Sequence, residues 1–246
     1  MSRLNSSAHD SNPRSGSKPI LCYVTDRRAL KGASQNESLE PLLKKVETIA
    51  AAGVDWIQLR EKYLSGRDFA ALAREALGRV SKLADIPQSA TPTPARILVN
   101  DRLDVALAER AGGVHLGENS LPAREVKRLF QSGQAAQISG ADFLVGVSCH
   151  SLEAAQSAAS AGAGYIFFGP VFATPSKSAF GAPQGLERLA QVCRSVAIPV
   201  LAIGGVSLAN ASSCFSTGAS GLAAIRLFQD SADPAELVRK LRLLPF

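Results

Sequence analysis

Eight short apolar runs, each followed by a stretch of helical character, constrain this chain more than any other feature. They are ILCYVT (20–25), VDWIQLR (54–60), ARILVN (95–100), GGVHL (112–116), DFLVGVS (142–148), GYIFFG (164–169), IPVLAIG (198–204) and SGLAAI (220–225). Strands covered on both faces read as such near-continuous apolar runs. The clearest helical stretch is 66–83, where Phe69, Leu72, Ala73, Ala76, Leu77 and Val80 share one face. Ser65 and Asp68 form a capping-box pattern at its start. Ser38, Ser120, Ser151 and Ser207 are predicted N-caps of other helices. Eight β-α units predict an α/β fold, a (β/α)8 TIM barrel. An open doubly wound sheet is the alternative, but no G-x-G-x-x-G turn follows the first strand.

The chain has 246 residues, 46% of them apolar, which suits one barrel domain over 19–246. Residues 1–18, MSRLNSSAHDSNPRSGSK, have little to bury and are expected to be a disordered N-terminal tail. DIPQSATPTPAR (85–96) reads as a Pro-rich loop. The formal charge of +6 includes Arg3, Arg14 and Lys18, and no block of five like charges occurs. That argues against a nucleic-acid partner and favours small anionic substrates. Cys22, Cys149, Cys193 and Cys214 show no C-x-x-C spacing and are expected to be reduced. No apolar run reaches the ~18 residues of a membrane span, and no apolar leader segment opens the chain. The expectation is a cytoplasmic protein with no membrane partner. A homo-oligomer remains open.

In a barrel, the residues that follow each strand share one mouth. Thr25, Asp26 and Arg27 follow the first run; Gln58, Arg60, Glu61 and Lys62 close the second. Asn100 and Asp101 end the third, Glu118 and Ser120 follow the fourth, and Ser148 and His150 the fifth. Thr174, Ser176 and Lys177 lie in the loop after the sixth, Gly204 and Gly205 end the seventh, and Arg226 ends the eighth. Arg60, Lys62, Lys177 and Arg226 would surround one opening with positive charge, which suits a diphosphate. Gly204-Gly205 offers backbone N–H groups where this fold commonly seats a phosphate. Asp101 and Glu118 are candidate Mg²⁺ ligands against phosphate oxygens. Blander readings stand beside these: Arg60-Glu61-Lys62 as a solvated turn, His150 as a group that orients the next helix, His115 as structural, and Trp56, Phe167 and Phe168 as core.

The segments YVTDRR, IQLREK, ILVNDRLDVALA, GVHLG, GVSCHS, FFGPVFATPSK and AIGGV, taken in this order, resemble the thiamine phosphate synthases and their relatives, the thiazole tautomerases. The resemblance spans roughly 20–242. It implies a transferase that joins hydroxymethylpyrimidine diphosphate to a thiazole phosphate, releasing pyrophosphate with Mg²⁺ as cofactor. It also implies pyrimidine-diphosphate contacts at Gln58, Arg60 and Lys62, and substrate and Mg²⁺ binding at Asn100 and Asp101. Ser148, Thr174 and Ser176 would contact substrates, and Lys177 the pyrophosphate. Gly205 and the end of the eighth strand match the thiazole-phosphate seat. Two positions depart from the family pattern. HLGENSLP (115–122) has Ser120 where the family carries a metal-binding Asp, and Glu118 is the expected replacement charge. Ile225-Arg226 replaces a small pair, so Arg226 either grips the phosphate or fills its seat. A tautomerase, with His150 moving a proton, and a non-catalytic binder are the alternative functions.

Overall fold

The computed structural model describes residues 18–30, 38–84, 94–131, 133, 142–174 and 182–246. Its strands are β1 Ile20–Val24, β2 Trp56–Leu59, β3 Arg96–Asn100, β4 Gly113–Leu116, β5 Leu144–Cys149, β6 Tyr165–Phe168, β7 Val200–Ile203 and β8 Gly221–Ala224. Neighbours pair in parallel in sequence order, and β8 pairs with β1. The sheet therefore closes, which confirms the (β/α)8 barrel and excludes the open sheet. Helices α1 Glu40–Ala51, α2 Gly66–Ala84, α3 Leu103–Ala108, α4 Ala123–Gln131, α5 Leu152–Ser160, α6 Gly185–Ser195 and α7 Ala211–Ser216 alternate with the strands. Helices α8 Arg226–Gln229 and α9 Pro234–Arg242 follow β8. The tail up to residue 17 and most of the Pro-rich loop, residues 85–93, lie outside the described residues.

Strand alternation divides the apolar side chains between two cores. Leu21 and Tyr23 of β1, Ile57 and Leu59 of β2, Ile97 and Val99 of β3 and Ile166 and Phe168 of β6 face the helices. Cys22, Val24, Leu98, Tyr165, Phe167, Leu201 and Ala223 fill the barrel, with Trp56 against them. Tyr165 crosses the interior, its ring 4.7 Å from Trp56 and 5.3 Å from Phe167. Gly146 of β5 makes room for it, because a Cβ there would overlap the Tyr165 ring and hydroxyl.

The helix starts follow capping chemistry, with three revisions. Ser65 accepts from the Asp68 N–H at 3.1 Å, the capping bond the pattern predicts, while its hydroxyl donates to the Asp68 carboxylate at 2.7 Å. Ser151 accepts from Ala154 N–H and caps α5. Ser38 accepts from Glu40 N–H, but Leu39 holds the cap position of α1. Ser207 does not cap α7; Asn210 does so positionally and accepts the Ser207 N–H at 2.8 Å. Ser120 does not cap α4, whose first residue is Ala123, because its hydroxyl is held at the mouth. At the opposite end of the barrel, Arg242 donates to Asp55 at 2.7 Å and to the carbonyls of Pro19 and Gly53. Asp55 in turn accepts the Leu21 N–H at 2.6 Å. The last helix thereby ties together the starts of β1 and β2.

Gly146→Ala should lower stability by about 2 kcal/mol or more, since a packed barrel interior has no free volume for the methyl. A thermal melt should show a drop in Tm of roughly 4–8 °C.

Candidate active site

The mouth is built first by a buried carboxylate. Glu61, directly after β2, is only 7% exposed, contrary to the solvated-turn reading. It accepts from the Thr25 hydroxyl at 2.7 Å and from the Arg27 N–H at 3.1 Å to each oxygen. Thr25, fully buried, also accepts the Arg60 N–H at 2.9 Å. These bonds weld the loop after β1 to the loop after β2, so the backbone carrying Arg60 and Lys62 is fixed. Burial raises the Glu61 carboxyl above the usual carboxylate range; the bonds from Thr25 and Arg27 only partly offset that. Gln229 on α8 reinforces the same loop, accepting the Tyr23 hydroxyl at 2.8 Å and donating to the Asp26 carbonyl at 3.0 Å. Above it, the Arg28 guanidinium sits 3.1 Å from the Tyr63 ring centroid.

Across the opening runs a chain of polar side chains. Gln58 of β2 donates to Asn100 of β3 at 2.8 Å, and Asn100 donates to Asp101 at 2.9 Å. The other Asp101 oxygen accepts from the Gly117 N–H at 3.0 Å and from the Ser120 hydroxyl. Ser120 itself accepts the Gly117 N–H at 2.7 Å. Asp101 adopts a left-handed φ of 61°, which Asp tolerates better than most residues, and its N–H is held by the His115 carbonyl at 2.9 Å. Burial opposes its ionisation, but the bonds from Ser120, Gly117 and Asn100, with the charge of Lys62, outweigh it and hold its pKa below the usual range.

Deeper in the barrel, His115 is 1% exposed, its ring centroid 4.2 Å from that of Phe167 and tilted by 32°. Its Nδ1 lies 3.0 Å from the Tyr165 hydroxyl and its Nε2 2.9 Å from Ser148 Oγ. Burial pushes its pKa down to about 3, with Asp101 raising it and Arg60 lowering it. Arg60 follows β2 and Asp101 follows β3, neighbouring strands joined at this end by the Gln58–Asn100–Asp101 bonds, so both stand at one opening. The structural reading of His115 is borne out, and its link to Ser148 was not visible in the sequence.

The other predicted residues distribute as follows. Lys62 is exposed, beside Asp101. His150 Nδ1 bonds the Gly169 carbonyl after β6. Glu118 is exposed, and its charge reaches Cys149 at the end of β5. Gly204 and Gly205 have φ of 91° and 65°, and a Cβ on them would come within 2.5 Å of Pro170 and 2.6 Å of the Ala173 carbonyl. Neither donates its backbone N–H to a described residue. Thr174 is half-buried in the loop after β6. Arg226 is exposed and begins α8 rather than ending β8. Ser176 and Lys177 lie outside the described residues. Among the described residues no group of three His, Cys, Asp or Glu side chains converges on one metal-sized point.

The profile of the family described as thiamine monophosphate synthase matches residues 21–228. The chain belongs to the thiamine monophosphate synthase family. A putative thiamine-phosphate synthase of Geobacter sulfurreducens is 41% identical over 92% of this chain and 94% of its own. The thiamine-phosphate synthase of Methanoculleus marisnigri is 40% identical over 90% and 93%. A solved structure, the thiamine phosphate pyrophosphorylase of Pyrococcus furiosus, superposes with a TM-score of 0.70 at 31% identity, covering 92% of this chain and 94% of that one. Its function is that of the family's synthases, transferases of thiamine biosynthesis. Among the described residues no helix is long and apolar enough to cross a membrane.

Glu61 gives the synthase mouth a testable pH signature. Its carboxyl holds a proton more tightly folded than unfolded. Its contribution to stability is therefore fully present below the unfolded value of about 4.3 and declines as pH rises through the folded value. Glu61→Gln removes that decline, so denaturant midpoints followed from pH 4 to 7 should move in the variant's favour as pH rises.

Proposed function

We propose that this mouth condenses hydroxymethylpyrimidine diphosphate with a thiazole phosphate to give thiamine phosphate and pyrophosphate. The observation that carries the reading is the gathering of Arg60, Lys62 and a pinned, ionised Asp101 after the neighbouring strands β2 and β3, with Gly204 and Gly205 N–H groups that no described residue accepts in the loop after β7. The C–O bond between the pyrimidine methylene and the diphosphate breaks with both electrons going to the diphosphate. The pyrimidine amino group donates electron density into the cation left behind. The thiazole nitrogen then supplies the pair for the new C–N bond. The protein bears leaving-group charge and holds two rings in contact, which electrostatics and orientation accomplish without a strong base.

In this reading Arg60, Lys62 and Lys177 meet the diphosphate; Gln58, Asn100, Ser148, Thr174 and Ser176 position the pyrimidine diphosphate. Gly204, Gly205 and Arg226 receive the thiazole phosphate, and Arg226, at the N-terminus of α8, is exposed and so available to grip it. His150 presents its Nε2 side beyond the bond to Gly169. The donor set suits Mg²⁺: Asp101 is held ionised, and such a cation needs only one or two carboxylates plus phosphate oxygens and water. Bound there, Mg²⁺ would neutralise charge on the departing diphosphate. Ser120, standing where the family has an acid, holds Asp101 through its hydroxyl. Glu118 is exposed, without a hydrogen-bond or ion-pair partner among the described residues, and supplies the second carboxylate in this reading.

Purified protein given both substrates and Mg²⁺ should release pyrophosphate, and should release none when either substrate is omitted. Interconversion of thiazole tautomers without pyrophosphate would replace the synthase by a tautomerase. Arg60→Ala and Lys177→Ala should each lower turnover at least tenfold, about 1.4 kcal/mol of barrier. Glu118→Gln should raise the Mg²⁺ concentration needed for half-maximal rate; an unchanged titration removes Glu118 from the metal site.

A further inference from the structure

Inside the barrel, three side chains from three strands form a line that ends at the mouth. Tyr165 of β6 is fully buried, His115 of β4 is 1% exposed, and Ser148 near the end of β5 is half-buried. The Tyr165 hydroxyl lies 3.0 Å from His115 Nδ1, and His115 Nε2 lies 2.9 Å from Ser148 Oγ. Gly146, one strand alternation before Ser148, is what admits the Tyr165 hydroxyl to this position. Among the described residues no carboxylate touches the imidazole, so a neutral ring with one donor and one acceptor is the species these surroundings favour.

Two polarities satisfy that ring. If Nδ1 carried the proton, it would donate to the Tyr165 oxygen. The Tyr165 hydrogen would then have no acceptor among the described residues, in a place with no exposure. If Nε2 carries the proton, Tyr165 donates to Nδ1, Nε2–H donates to Ser148 Oγ, and every buried donor has an acceptor. Buried donors are rarely left unpaired, so the second polarity prevails.

We infer that Tyr165 and His115 are positioning residues which fix the direction of the Ser148 hydroxyl, so that Ser148 accepts from within the barrel and presents its own hydrogen to an acceptor atom of the pyrimidine diphosphate. The substrate clause rests on the proposed function; the tautomer does not. Ser148 arrives pre-aimed as a donor, and no reorientation of its hydroxyl is needed when substrate enters.

Long-range ¹H–¹⁵N correlation on protein labelled at histidine reads the tautomer directly. His115 is assigned as the signal missing from His115→Leu. A protonated Nε2 with a bare Nδ1 is expected; a protonated Nδ1 overturns the inference. A double-mutant cycle tests the action through Ser148. His115→Leu should cost roughly tenfold in kcat/KM, and His115→Gln, which keeps a donor at the Nε2 end, should recover most of it. In the Ser148→Ala background, His115→Leu should cost less than about twofold further, because the hydroxyl it aims is gone. Fully additive losses would show that His115 acts elsewhere and overturn the inference, with circular dichroism confirming that each variant folds. If the wild-type protein turns over no pyrimidine diphosphate, the proposed function fails, while the spectrum still decides the tautomer.

Discussion

Pairing of β8 with β1 is the constraint on which the rest of the molecule depends. A closed parallel ladder leaves no edge strand to solvate and gives every strand an inside and an outside. The outside is filled by helix-facing aliphatics. The inside is filled by Cys22, Val24, Leu98, Tyr165, Phe167, Leu201 and Ala223 until the strands reach their C-terminal ends. There the inward positions become polar: Gln58 on β2, Asn100 on β3, His115 on β4 and Ser148 on β5. Without closure these residues would lie along a sheet face rather than around a cup.

The cup is rigid because its polar groups are spent on one another. Glu61, Thr25 and the Arg60 and Arg27 N–H groups make one buried node; Gln229 with Tyr23 and Asp26 makes a second. Asp101, with Asn100, Ser120 and Gly117, makes a third at the rim. Such networks cost little when complete and much when broken. What stays without a hydrogen-bond partner among the described residues is correspondingly informative: the exposed Glu118, and the N–H groups of Gly204 and Gly205.

Ser120 shows how a single hydroxyl organises the carboxylate at the rim. An acid there would bring a second negative charge beside Asp101. The serine instead bridges Gly117 and Asp101 and, with Gly117, Asn100 and the charge of Lys62, helps hold the Asp101 carboxyl ionised. Glu118, in the loop two residues beyond the end of β4, is the carboxylate we propose restores that charge.

The sequence by itself determined the barrel, because eight apolar runs separated by helical stretches have few ways to bury themselves, and all eight strands lie where those runs do. It also placed Gln58, Asn100, Asp101 and Ser148 at the mouth, since every strand delivers its C-terminal end to the same side. Local capping was legible at Ser65 and Ser151, where the partner lies three residues away. It failed at Ser38, Ser120 and Ser207, where Leu39 holds the cap position, Asp101 and Gly117 engage the hydroxyl, and Asn210 takes the place. Only the tertiary structure decided that Glu61 is buried, that Gln229 reaches back to β1, and that His115 links Tyr165 to Ser148. Those bonds join residues 33 to 206 positions apart, and no local pattern encodes them. They exist because closing the cylinder brings distant strand ends within hydrogen-bonding reach and shuts out the water that would otherwise have satisfied them.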